Sequence, residues 1–130
     1  MSQGIIRTAF GWPLHIGMEA NPRSLLNFPM QANAAEMMRL ACCLAVERGI
    51  EVCAPVHDAV LICAPLDRLE ADIAGMRAAM AEASRVVLDG FELGTDAEII
   101  RWPDRYADPR GAVMWATVMS LMEEKLCDVA

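Results

Sequence analysis

The sequence predicts an α+β fold: a small, mainly antiparallel sheet that includes a central β-hairpin, with three helices packed against it. Three observations carry that expectation. β-Rich runs of strand length alternate with long runs rich in Ala, Leu and Met. Two of the β-rich runs, I-E-V-C at 50–53 and V-L-I-C at 60–63, are separated by a short turn-like segment. No internal repeat is present, and 130 residues suffice for one core but not two, so residues 1–130 are expected to form a single domain. The order along the chain is β, α, β-hairpin, α, β, α, the layout of helices on one face of a small sheet.

Residues 1–20 read as a strand segment broken at Gly11-Trp12-Pro13, with Ile5, Ile6, Ala9 and Phe10 as its apolar side. Residues 19–29 form a connection rich in turn formers, among them Asn21, Pro22, Asn27 and Pro29. A helix is expected over 29–49, from about Met30, with Gly49 suited to a left-handed cap. Its polar positions Glu36, Arg39, Cys43 and Glu47 recur every three or four residues and mark a wet face, opposite Ala34, Met37, Met38, Ala41, Leu44 and Ala45.

Residues 50–65 read as the hairpin, with His57 and Asp58 in its turn. The second arm lacks polar alternation, which suits a strand covered on both faces. A second helix spans 67–89, with Asp67 as cap and Glu70 three residues on. Residues 94–101 suit a third strand. After a loop, Asp108-Pro109 opens a C-terminal helix over 108–127, Asp as cap and Pro at the first helical position. That amphipathic helix is expected to pack on the sheet or on a partner.

Composition narrows the function classes. The net charge of −7 argues against a free-standing, non-specific nucleic-acid binder, which normally carries a basic face. It leaves open a chain that borrows basic groups from a partner. Arg outnumbers Lys ten to one, so the cations present are mostly planar forks suited to phosphate or carboxylate. With aromatics at only 5%, packing falls to Ala, Leu, Val and the ten Met, which fill irregular gaps. The five cysteines show no C-x-x-C pair and read as reduced thiols, although Cys53 and Cys63 could meet across the hairpin as a redox or metal site. The opening M-S-Q-G-I-I-R-T lacks the apolar run of a secretion signal, and no stretch reaches the ~20 apolar residues of a membrane span. A cytoplasmic protein without membrane contact is expected.

The segment A-P-V-H-D-A-V-L-I-C-A, residues 54–64, sets His57 and Asp58 between apolar arms. A turn role is a sufficient explanation, since Asp is a common turn former and His tolerates unusual backbone angles. The functional alternative is a metal-binding carboxylate on a rigid tip, because Mg²⁺ takes one or two carboxylates together with substrate phosphates.

The stretch N-P-R-S-L-L-N-F-P-M-Q-A-N-A-A-E-M-M, residues 21–38, followed by V-H-D at 56–58, resembles the C-terminal palm segment of family A (DNA polymerase I-like) DNA polymerases. The matching positions are Arg23, Asn27, Pro29-Met30-Gln31, Ala34-Ala35 and Val56-His57-Asp58. The stretch G-I-I-R-T-A-F-G-W-P-L, from Gly4, is similar to the family's return from fingers to palm, so the resemblance runs to about Arg101. It implies a partial polymerase palm and template-directed nucleotidyl transfer. Asp58 would be one of two aspartates holding catalytic Mg²⁺, which activates the primer 3′-hydroxyl and stabilises the leaving pyrophosphate. His57 would lie near the primer terminus as a catalytic and DNA-binding residue. Gln31 would read the minor groove, where acceptors common to all base pairs permit a sequence-independent check. Arg23 and Asn27 would contact the strands. The implied partners are primer–template DNA and a deoxynucleotide.

Three departures accompany the resemblance. Ala59 stands where the family carries glutamate, Trp12-Pro13 where it carries basic residues, and the chain beyond Arg101 follows no polymerase ending. The family's other aspartate and its nucleotide-binding fingers helix would lie upstream. The expectation is therefore a fragment or split subunit, inactive alone and completed by an upstream polypeptide. The alternative is a non-catalytic, polymerase-derived interaction domain that forms a homo-oligomer through its apolar faces.

Overall fold

A computed structural model describes the backbone of residues 4–127. The chain divides into two compact units, Met1–Ala97 and Glu98–Ala130, where the sequence suggests one domain.

The first unit opens with two short strands, β1 (Ile5–Arg7) and β2 (Pro13–His15), paired antiparallel with Ile6 opposite Leu14. The helix that follows, α1, spans Pro22–Glu47 and starts two turns earlier than expected. Its start signal is orthodox: the Asn21 side chain accepts from the Arg23 amide at 2.9 Å, and Pro22 takes the first helical turn. Pro29 misleads as a turn former before the helix. It sits inside α1, where its nitrogen has no hydrogen to give the Leu25 carbonyl. Gly49 follows the helix at φ +75°, the left-handed conformation foreseen for it.

The hairpin pairs β3 (Glu51–Val56) with β4 (Ala59–Cys63). Its outer half pairs Glu51 with Cys63 and Val52 with Ile62; beyond Cys53 the register shifts, pairing Ala54 with Leu61 and Val56 with Ala59. Cys53 is thus the extra residue of a β-bulge. The bulge determines the tip. Continued without it, the outer register would pair Pro55 with Ala59 and leave three residues in the loop; with it, only His57 and Asp58 remain.

The second arm is not covered on both faces. Val60 and Ile62 turn inward, while Ala59, Leu61 and Cys63 are exposed, so β4 alternates despite its uniformly apolar sequence. Nor is there one sheet: β1–β2 and β3–β4 are separate two-stranded ladders, and residues 94–101 form no strand. The residue just before that segment is held by Ser84, whose hydroxyl donates to the Ala81 carbonyl at 2.8 Å and accepts from the Leu93 amide at 3.1 Å.

Helix α2 (Leu69–Val87) packs along α1. It begins at Leu69 with Arg68 as a cap that makes no side-chain bond, so Asp67 does not serve as the cap. Ala41 and Ala45 of α1 join Met76, Ala79 and Ala83 of α2 and Ile50 in one buried cluster, flanked by Val52, Val60 and Ile62 of the hairpin. Small side chains allow two helices to run close. The same tightness explains Gly75 in mid-helix, because a Cβ there would meet the Ile50 Cδ1 at 3.0 Å.

Glu36 corrects the reading of α1's wet face. It is 4% exposed, accepts from the Thr8 hydroxyl at 2.8 Å and is ion-paired with Arg39. A buried carboxylate is tolerated when it is paired and hydrogen-bonded, and here it ties the β1–β2 turn to α1.

The second unit holds a short 3₁₀ turn, Pro109–Gly111, and helix α3, Ala112–Cys127. Asp108 caps as foreseen, its carboxylate accepting from the Arg110 amide at 2.9 Å. The Arg110 guanidinium, gripping the same carboxylate, holds its pKa below the usual value. No helix among the described residues is long and apolar enough to cross a membrane.

Ala79 has no exposed surface. Ala79→Leu forces three more carbons into the α1–α2 seam and is expected to lower stability by about 1–3 kcal/mol, read as a reduced urea midpoint at unchanged m-value.

Candidate functional site

A cavity of about 1000 Å³ lies within the first unit. Helix α1 forms one wall from Gln31 to Cys43. The bulged half of β3, Val52 to Pro55, and the turn residues His57 and Asp58 form another. Met80 and Ser84 of α2 and the tethered segment Leu93 to Thr95 complete the lining. Most of that surface is aliphatic or sulfur-bearing, with a few polar groups distributed over it, the usual composition of a ligand site.

The turn residues are placed by the bulge and by the apolar arms on either side. His57 adopts φ +56°, while Asp58 does not share the positive φ. Non-glycine residues rarely take this conformation, which glycine adopts without penalty, although His is among those that tolerate it best. A two-residue hairpin whose first central residue has positive φ is where glycine would be favoured. The chain keeps an imidazole there, exposed and on the cavity lining.

Asp58 is exposed, and among the described residues no side chain donates to its carboxylate, which leaves its oxygens open to a ligand. It is the one carboxylate in the cavity lining. Hard divalent cations take several oxygen ligands, usually including more than one charged group or a substrate phosphate. Asp58 therefore fits as one ligand of a Mg²⁺ ion and does not fit as the whole site. Among the described residues no three His, Cys, Asp or Glu side chains stand close enough to share a metal.

Of the residues singled out in the sequence, Gln31, His57 and Asp58 line the same cavity although 26 positions separate the first two. Arg23 and Asn27 do not line it. Asn27 sits one four-residue step before Gln31 and Arg23 two, a spacing that keeps all three on a slowly winding stripe of α1. The helical rise puts Arg23 about 12 Å along the axis from Gln31, so the stripe leads out of the cavity towards the N-terminal end of the helix. Both residues are exposed.

The cavity contains a residue that the sequence flagged only as part of a wet face. Arg39, two turns beyond Gln31, lines the wall with its side chain 57% exposed. Its guanidinium stands 6.0 Å from the centroid of the Phe10 ring and pairs with buried Glu36. The sequence signal was available in its position eight residues after Gln31 on the same helix, but its neighbour Phe10 and the Thr8 that holds its partner Glu36 are distant in sequence.

Cys42, Cys43 and Cys53 also line the cavity. Desolvation first, and then the neighbouring Cys43, pushes the Cys42 thiol up. Cys53 is raised by desolvation, then by Cys63 and Glu51. A thiol held above its ordinary pKa carries less thiolate at neutral pH.

No model of a known protein family matches the chain, and neither does any curated protein or solved structure.

His57→Gly removes the imidazole and relieves the left-handed backbone. It is expected to leave the unfolding midpoint unchanged or to raise it, by no more than about 1 kcal/mol in stability. Thermal unfolding by circular dichroism checks this: a clear loss of stability would give the His57 side chain a structural task instead of a functional one.

Proposed function

We propose that the chain is the C-terminal palm portion of a family A-type DNA polymerase, contributing one metal-binding carboxylate and duplex contacts to template-directed nucleotidyl transfer. The single observation that supports this most directly is the convergence of Gln31, His57 and Asp58 on one cavity. Gln31 was selected by sequence resemblance alone, and its distance of 26 positions from His57 did not require the two to meet, whereas His57 and Asp58 are neighbours in one turn.

In this proposal Asp58, on its short turn between apolar arms, holds Mg²⁺ together with a second aspartate from a segment outside these 130 residues. Bound Mg²⁺ supplies Lewis-acid activation of the primer hydroxyl and neutralises the pyrophosphate that leaves. The chain's own groups do the positioning. His57 faces the primer terminus from the residue before the metal ligand. Gln31 donates or accepts in the minor groove. Arg23 and Asn27 extend the contact along the helix stripe, where a guanidinium fork can grip phosphate. A stiff mount suits Asp58 because a displacement of about an ångström at a catalytic group costs on the order of 100-fold in rate. With a single carboxylate in its lining, the cavity is not expected to catalyse nucleotide addition unaided.

A second reading is supported by exposed apolar side chains. Leu26 and Met30 lie four residues apart on α1 with at least 74% of their surface open, and Val113, Met114 and Trp115 of α3 are also largely exposed. Such surfaces favour association, and a polymerase-derived interaction domain that self-assembles would use them. Size-exclusion chromatography with light scattering separates the two. A monomer at micromolar concentration would count against self-assembly, and a stable oligomer would favour it.

The catalytic proposal is tested by primer extension with Mg²⁺ after the chain is combined with a polypeptide carrying a family A fingers segment and its aspartate. Nucleotide addition is expected only in the mixture. Asp58→Ala is expected to reduce it by at least about 100-fold, in line with the loss of a group that acts on the reacting phosphate. Undiminished extension by the Asp58→Ala mixture would remove the role assigned to this carboxylate.

A further inference from the structure

We propose that Arg39 is a phosphate-binding residue of the cavity wall, the local cation that lets an acidic chain hold a polyanion beside Asp58. The inference deepens the proposed function and rests on that reading of the cavity as a nucleic-acid site.

A chain of net charge −7 repels polyanions at long range, so any phosphate contact must come from a local, well-fixed positive group. Among the described residues Arg39 is the one Arg or Lys in the cavity lining, against the single carboxylate of Asp58. Two groups stand beside its guanidinium. One Nη2 donor goes to Glu36, which is itself buried and held by the Thr8 hydroxyl. The guanidinium is near the Phe10 ring. A guanidinium has five N–H donors, and the described hydrogen bonds of Arg39 use one. The others remain for phosphate oxygens, which a planar fork can grip in pairs.

Neutralising Glu36 is the plain alternative task for Arg39. An ammonium would serve that purpose equally, whereas a bidentate phosphate grip requires the guanidinium. The phosphate could belong to the backbone of a primer–template duplex or to a free nucleoside triphosphate. The chemistry is shared, and the two sources are separable by experiment.

The test is fluorescence anisotropy of the 130-residue chain titrated into a labelled primer–template duplex and, separately, a labelled deoxynucleoside triphosphate, each over a salt series. The informative variant is the double substitution Glu36→Gln with Arg39→Gln. It deletes both partners, leaves no orphaned buried carboxylate and keeps the net charge at −7, and circular dichroism checks that it folds. Arg39→Lys keeps the charge and loses the fork. The double variant is expected to bind duplex about 10-fold more weakly than the native chain, with the slope of log affinity against log salt reduced by about one phosphate contact. Arg39→Lys should recover the slope but not the full affinity. A loss confined to the triphosphate assigns Arg39 to the incoming nucleotide, and a loss confined to the duplex assigns it to the backbone. Equal affinity and slope in the native chain and a folded double variant would overturn the proposal. Failure of the native chain to bind either probe would overturn it too, while primer extension with Asp58→Ala would still decide the catalytic reading on its own terms.

Discussion

The first unit depends on how closely α1 and α2 approach. Ala41, Ala45, Ala79 and Ala83 are essentially without exposed surface, and together with Met76 and Ile50 they make up most of the core. Side chains this small bury little apolar area each, so stability comes from many close contacts and not from a few large groups. The hairpin joins this seam through Val52, Val60 and Ile62 on its inner face. The position of the tip is thus inherited from the helix pair: whatever loosens the seam also loosens the mount that carries His57 and Asp58.

Two local devices then set the tip itself. The bulge at Cys53 shifts the register by one and shortens the loop to two residues. A backbone at φ +56° is accepted at His57 where glycine would relieve it. Backbone conformations of this kind cluster at active sites and ligand clamps, and this one lies on the cavity lining. On the opposite wall, Glu36 ties α1 to the β1–β2 turn and pairs with Arg39.

Much of this was legible in the sequence because the signals were local. The hairpin, the left-handed Gly49, the Asp108 cap and the α-rich character of 30–48 all follow from neighbouring residues. The failures have equally physical causes. Pro29 breaks or bounds a helix in most contexts, but α1 begins upstream at the Asn21 cap and continues through it. Residues 94–101 find no partner strand among the described residues, and Ser84 satisfies the amide of Leu93 just before them. Glu36 looked solvent-facing on periodicity alone, because its partner Thr8 lies 28 residues away. For the site, the resemblance selected Gln31, His57 and Asp58, and the fold places them together. Arg39 escaped because its role depends on contacts that no short window of sequence contains.

The central claim is that Asp58 presents an open carboxylate into the cavity, where a divalent cation and nucleotide phosphates can reach it alongside Gln31. Nuclear magnetic resonance of the ¹⁵N-labelled chain with Mn²⁺ and a deoxynucleoside triphosphate tests it directly, since the paramagnetic ion broadens only nearby amides. The expected result is selective broadening at residues 57–59, reaching Gln31 across the cavity, and its loss in Asp58→Asn. Broadening centred on the acidic start of α2, at Asp67, Glu70 and Asp72, with residues 57–59 left sharp, would contradict the claim.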